Sequence, residues 1–251
     1  MALLRINQLG KHFGGLHAVS DVSFSLKEGA IKAVIGPNGA GKTTLFNLIS
    51  GVLSPTSGEV LFHGKAIQGF KPYRIAGLGV ARTFQNIKMF AGMTALENVM
   101  VGRHVRSGAG FVASMLRTPA CRREEVAIRR KSMELLDFLG IADCAEIEAT
   151  SLAFGQQRAV ELARALALEP TLLLLDEPAA GLNIYETAEV GRLITRIRDL
   201  GVTVLLVEHD MSLVMEISDE IVVLSFGQKI AEGLPTEIQR NPEVIKVYLG
   251  E

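Results

Sequence analysis

Only two cysteines, Cys121 and Cys144, occur among the 251 residues, and their spacing matches neither a disulfide framework nor a metal site. A reducing, cytosolic setting is therefore expected. No apolar run is long enough to span a bilayer, and the opening MALLRINQLG turns polar too soon for a secretory signal. An excess of one charge is also missing. Charged residues are 21% of the chain and the formal net charge is −1, so no basic field points to a nucleic-acid partner. Internal repeats and low-complexity linkers are absent. What is abundant is apolar content: the mean hydropathy of +0.29 suits buried parallel strands and a docking surface. A chain of 27.1 kDa can bury its core as one large domain or two lobes.

The pattern along the chain predicts an α/β fold. LLRINQL and LHAVSDVSFSLKEG alternate apolar and polar residues, and GEVLFHGKAI reads as a hairpin punctuated by Gly58 and Gly64. AIKAVIG is a short, almost fully apolar strand. KTTLFNLISG follows it as a helix with Leu45, Leu48 and Ile49 on one face and Gly51 at its end. From residue 87 to 150 the texture is helical. Thr94 and Glu97 have capping-box spacing, and REEVAIRRKSMELLDFLG is amphipathic. Strand–helix alternation then resumes with TLLLLD, ETAEVGRLITRIRDLG, VTVLLVEHD, MSLVMEIS and EIVVLSFG. A last helix opens with Asn241 as N-cap and Pro242 at its first position. This predicts a parallel core, residues 1–86 and 151–251, interrupted by a helical insertion over 87–150.

GPNGAGKT, residues 36–43, lies between a predicted strand and a predicted helix, the context in which this glycine pattern has chemical meaning. Backbone N–H groups along Gly36, Asn38, Gly39, Ala40, Gly41, Lys42, Thr43 and Thr44 would converge on phosphate oxygens at the helix start. Lys42 can reach the β- and γ-phosphates, and the Thr43 hydroxyl can ligate Mg2+. LLLLDE supplies the complement: Asp176 at the end of a buried strand would hold the metal through water, and Glu177 could activate an attacking water. Hydrolysis of a nucleoside triphosphate is the chemistry these residues predict.

In order, the phosphate loop, RTFQN, LAFGQQR, LLLLDEP, GLN and VEHD resemble the ATPase subunit of an ATP-binding cassette transporter over essentially the whole chain. The resemblance implies a P-loop NTPase fold with a RecA-like parallel core, an antiparallel β subdomain and an inserted α-helical subdomain, with ATP and Mg2+ as ligands. It places Phe13 where an aromatic stacks on adenine, with Val19 nearby. Gln85 takes the place of a glutamine touching Mg2+ and the attacking water, and His209 that of a histidine contacting the γ-phosphate. Gly181 to Asn183 would run across a dimer interface. Each residue alone has a plainer reading: Phe13 as core, His209 as a cap or surface histidine. His12, His17, His63 and His104 have no such context and are read as surface.

LAFGQ matches the family signature, usually Leu-Ser-Gly-Gly-Gln, which approaches the γ-phosphate bound by the opposite subunit. Ala153 replaces the serine and Phe154 the first glycine, while Gly155 and a helix expected to begin at Gln156 keep the anion-binding backbone. Phe154 is expected to point away from the phosphate into the helical insertion. Asn183 replaces the usual aspartate of the interface loop.

LAFGQQR…ELARAL, DEPAAGLN, the ending EIQRNPEVIKVYLGE and an insertion extended around GRHVRSGAGFVASMLRTPACRRE together resemble the larger ATPase subunit of branched-chain amino acid importers. That likeness implies a second ATPase subunit, two membrane permeases, a periplasmic solute-binding protein and a place on the cytoplasmic face of the inner membrane. The cargo rests on resemblance alone; another small solute, such as urea or amides, is the alternative. A soluble cassette ATPase acting on ribosomes or DNA is a further reading, and a P-loop kinase would leave LAFGQQR and His209 unexplained. The arginines between Arg103 and Arg130 suit either a solvated helix face or contact with lipid headgroups or a permease loop. Phe84, Met89, Phe90 and Met93 suit either a docking groove or the subdomain's own core.

Overall fold

The computed structural model describes residues 2–104 and 119–249, and the chain divides into two compact units, 1–82 with 171–251, and 83–170. The first unit opens with a long hairpin of β1 (Ala2–Phe13) and β2 (Leu16–Lys27). β3 (Ile31–Ile35) is buried at every residue, as expected of a strand covered on both faces. It leads through the glycine loop into α1 (Lys42–Ile49), which ends at Ser50 with Gly51 in the left-handed region beyond it. β4 (Ser57–Phe62), β5 (Lys65–Ala66), α2 (Pro72–Gly77) and β6 (Val80–Arg82) complete this stretch.

The second unit contains α3 (Ala95–Arg103), α4 (Pro119–Phe138) and α5 (Phe154–Leu166). The capping box at α3 forms as the spacing predicts: the Thr94 hydroxyl accepts from the Glu97 N–H and the Glu97 carboxylate from the Thr94 N–H. Leu96, Val99, Leu136, Ile141, Val160 and Ala163 make its core. The unit is wider than the 87–150 stretch expected from texture. The Phe84 N–H donates to Glu161 of α5 at 3.3 Å, so residues on both sides of that stretch are held within the unit. The extended part of the insertion, residues 105–118, lies outside the described residues.

The chain then returns to the first unit with β7 (Leu172–Asp176), α6 (Ile184–Asp199), β8 (Thr203–Val207), α7 (Met211–Ile217), β9 (Glu220–Ser225), β10 (Gln228–Gly233), α8 (Pro235–Gln239) and α9 (Pro242–Leu249). An antiparallel sheet has the order β2-β1-β4-β5, and the larger sheet the order β10-β9-β3-β8-β7-β6. All strands of the larger sheet are parallel except β10, which pairs antiparallel to β9 at the edge. One core joins the two sheets, with Leu4, Val22 and Leu26 of the first packed with Val34, Leu174, Leu205 and Val222 of the second. Because β3, β7 and β8 run parallel, whatever follows their carboxyl ends gathers along one edge. In open α/β sheets that edge is where ligands bind.

Candidate functional site

The phosphate loop leaves β3 and turns into α1. A side chain at Gly36 would collide with the Leu224 carbonyl oxygen, and one at Gly41, where φ is +100°, with that of Ala18. Neighbouring backbone also props the loop, since the Gly227 N–H donates to the Ala40 carbonyl at 3.1 Å and the Ser20 N–H to the Gly227 carbonyl at 2.7 Å. The first N–H groups of α1 have no intrahelical acceptor, and the loop that leads into them suits an anion. Asn38, Gly39 and Thr43 are exposed along it, Gly41 and Thr44 are half-buried, and Ala40 and Lys42 are buried.

The Lys42 ammonium folds over its own loop and donates to the carbonyls of Gly36 at 2.7 Å and Pro37 at 3.0 Å. Burial pushes its pKa down, and the charges of Glu177 and Asp176 offset this only in part. The residual disfavour of the charged form is what an incoming polyphosphate would relieve.

Asp176 ends β7 and is buried, with its carboxylate 2.9 Å from the Arg82 guanidinium. The same guanidinium donates to Asn47 and Ser50 of the α1 segment, both at 2.8 Å. Among the described residues no group of three or more His, Cys, Asp or Glu side chains stands ready to cage a metal. Magnesium needs no such cage: it keeps waters and takes one or two protein oxygens plus phosphates. The Thr43 hydroxyl, with Asp176 acting through a water, would make a donor set of that kind.

Glu177 sits at φ +51°, in the left-handed region that non-glycine residues rarely occupy. Its carboxylate meets His209 Nε2 at 2.9 Å. Glu177 and His209 follow the ends of neighbouring parallel strands β7 and β8, so the sheet itself brings them together. Sequence reasoning passed over Glu208 between β8 and His209; it is 3% exposed.

Phe13, at the tip of the β1–β2 hairpin, is 48% exposed with Lys11 Nζ 5.1 Å from its ring centroid. Val19 is 1% exposed and belongs to the core. His12, His17, His63 and His104 are all exposed, in line with their surface reading.

The second unit carries Gln85 and the signature stretch. α5 begins at Phe154 with Ala153 as its N-cap, two residues earlier than the start expected at Gln156. The reason is the Gln156 side chain, whose carbonyl reaches back to accept the Ala153 N–H at 3.1 Å. Gly155 lies in the first turn, where an added side chain would meet nothing within 4 Å. Phe154 does not enter the helical core as expected. It is 52% exposed, with the Arg158 guanidinium 5.1 Å from its ring centroid. Asn183 caps α6 by accepting from the N–H groups of Tyr185 and Glu186, a role an aspartate would fill equally well. Phe84, Phe90 and Met93 are exposed, whereas Met89 packs against the unit's core. Asn98, also missed, is fully buried, and its amide carbonyl accepts from the Phe90 N–H at 2.9 Å. Arg103, Arg129 and Arg130 pair with Glu169, Glu146 and Glu134, which favours the solvated-face reading for the described part of that segment.

The family model for ABC transporters matches residues 19–180 of this chain, and one for branched-chain amino acid ATP-binding cassette transporters matches residues 228–251. The chain is 46% identical over 250 residues to the high-affinity branched-chain amino acid transport ATP-binding protein BraF of Pseudomonas aeruginosa, covering 99% of this chain and 98% of that protein. It is 44% identical over 250 residues to LivG of Escherichia coli, with the same coverage of each. Among solved structures, a nucleotide-free ATP-binding cassette from an ABC transporter superposes with a TM-score of 0.87 at 32% identity, covering 100% of both chains. An ADP conformation of an ABC transporter cassette gives the same score, identity and coverage.

Proposed function

Because the chain belongs to the ABC transporter family, we propose that it is the ATP-hydrolysing subunit of an importer for branched-chain amino acids. The observation that carries the reading is the convergence, at one sheet edge, of a buried Lys42 on a glycine loop, Asp176, and the Glu177–His209 pair 2.9 Å apart. Kinship with BraF and LivG along nearly the whole chain supports the cargo.

In this reading the phosphates of ATP lie against the N–H groups from Asn38 to Thr44, and Lys42 supplies the point charge on the transferred phosphoryl. Thr43 and Asp176 would hold magnesium, which neutralises phosphate charge. The Glu177 carboxylate orients the attacking water and takes its proton. His209 would contact the γ-phosphate, and Gln85 would be the glutamine that the family resemblance assigns to the attacking water and magnesium. Phe13 stacks on the base beside Val19. Ala153, Gly155 and Gln156 serve the nucleotide held by a second cassette, so two ATPase subunits close on two ATP molecules and reopen after hydrolysis. That movement drives two membrane permeases fed by a solute-binding protein. No helix of the described residues is long and apolar enough to cross a membrane. In the proposed assembly this subunit works against the permeases from the cytoplasmic face.

Lys42→Ala tests the chemistry: hydrolysis should fall below detection and ATP binding should weaken greatly. Unchanged turnover would remove the reading. Proteoliposomes containing the chain with its cassette partner and permeases, supplied with the solute-binding protein, test the cargo: labelled leucine, isoleucine and valine should enter on ATP addition. ATP-driven uptake of urea or an amide in their place would keep the motor and replace the cargo.

A further inference from the structure

Glu208 is a buried carboxylate to which the mechanism above gives no role, and each of its oxygens serves a different loop. Oε1 accepts from the Ala179 N–H at 2.7 Å. Oε2 accepts from the N–H of His209 at 2.8 Å and from that of Asp210 at 3.4 Å. Ala179 lies in the turn that carries Glu177, and His209 is the residue that Glu177 meets. One side chain therefore spans the backbones of both loops at the sheet edge.

The Glu177 turn needs such support. A left-handed glutamate persists only where its surroundings over-determine it. At least three bonds do so: the Glu177 N–H to the Val207 carbonyl at 2.9 Å, the Ala180 N–H to the Glu177 carbonyl at 3.2 Å, and the Ala179 N–H to Glu208. Two of these three anchors come from consecutive residues at the end of β8, the strand that leads directly into His209. Asp210 extends the chain of contacts by capping α7, its carboxylate accepting from the Leu213 N–H at 3.0 Å. A carboxylate suits this position because it offers only acceptors, whereas an amide would turn its NH2 toward one set of N–H donors.

We infer that Glu208 is a positioning residue for ATP hydrolysis, fixing the Glu177 turn and the His209 loop relative to each other. The inference rests on the ATPase reading. Glu208 acts through the two loops and touches no phosphate, so nucleotide binding should not depend on it.

The test uses the purified chain. Wild-type hydrolysis, lost in Lys42→Ala, first establishes the ATPase reading, so failure there is distinct from failure of this inference. In Glu208→Gln, single-turnover hydrolysis should slow about 10- to 100-fold, the scale of a misplaced reacting group. The ATP Kd should stay within about twofold, since uniform binding is untouched. Amide exchange at Ala179 and His209 should accelerate while that of β3 and β7 stays unchanged. Glu208→Asp keeps the charge but draws it back by one methylene, and should lie between. A folded Glu208→Gln that hydrolyses like wild type would overturn the inference. So would a rate that falls only in proportion to lost folded protein or lost ATP affinity. If neither variant folds, exchange on the wild-type protein decides: Ala179 and His209 amides that exchange as freely as exposed loop amides would overturn the inference as well.

Discussion

Phe13 distinguishes a binding residue from a packing one. At 48% exposure it contributes little to the core, and substitutions at such positions usually change stability by about 0.5 kcal/mol or less. Stacking on a base is worth roughly 1–3 kcal/mol, about 5- to 150-fold in affinity. Phe13→Ala should therefore raise the KM for ATP by that factor with a smaller effect on kcat and an unchanged Tm, while Phe13→Tyr stays mild. Loss of stability with nucleotide affinity intact would make Phe13 a packing residue. The chemistry legible in the sequence at this scale is local. The phosphate loop and the carboxylates of LLLLDE announce themselves through spacing within a few residues. Glu208 and Arg82 do not, because their partners are remote: Ala179 is 29 positions from Glu208, and Asp176 is 94 from Arg82. No periodicity encodes a bond across that separation.

At the scale of elements, Lys32 of β3 is almost fully buried, and its ammonium holds Glu220 of β9 at 2.8 Å and Glu232 of β10 at 2.7 Å. The hydrogen bond from Lys32 is the main cause that holds the Glu220 carboxyl below its ordinary value of 4.5. A depressed carboxylate pKa contributes stability that is fully present above the unfolded value and is lost as pH falls through the folded one. Lys32→Met should cost about 1–3 kcal/mol at pH 7, less than a fully buried pair because both carboxylates reach water. Its Tm deficit relative to wild type should shrink below the ordinary carboxylate value. A deficit that stays constant from pH 7 down to strongly acidic conditions would contradict this account of the cluster.

The elements readable from sequence were those with a strong pattern. β3, β7 and β8 are buried at every residue and appear as apolar runs. The structure also contains β6, β10, α2 and α8, which carry no such signal. β6 has three residues, and β10, QKIAEG, pairs only with β9 at the sheet edge and stays largely polar. α5 starts two residues before the expected Gln156 because its cap is a side chain reaching backward from Gln156, and the usual side-chain acceptor at the N-cap position is missing in Ala153.

At the scale of the whole molecule, some surface features have no explanation within one chain. Among the described residues nothing requires a glycine at position 155, since a side chain there would meet nothing within 4 Å. Ile184 and Tyr185, directly after the Gly181–Asn183 loop, are each 86% exposed. Large apolar side chains left that open suit a surface that another subunit covers. In the proposed assembly, a β-branched residue at 155 would obstruct a neighbour's phosphate while sparing the chain's own. Gly155→Val should thus leave ATP binding to the monomer unchanged and prevent closure of the pair. The nature of the cargo, by contrast, is not legible in these residues, because in the proposed assembly the permeases, not this subunit, pass the solute.

The most direct test of the central claim is sedimentation velocity of Glu177→Gln, alone and mixed with its natural cassette partner. Without the water-activating carboxylate the protein should bind Mg-ATP without cleaving it, and binding across the interface then shifts association by mass action. The protein should be a dimer with Mg-ATP and a monomer with ADP, with no ATP-dependent dimer once Gly155→Val is added. Failure of both mixtures to dimerise with ATP, or weaker nucleotide binding by the isolated Gly155→Val monomer, would contradict the claim.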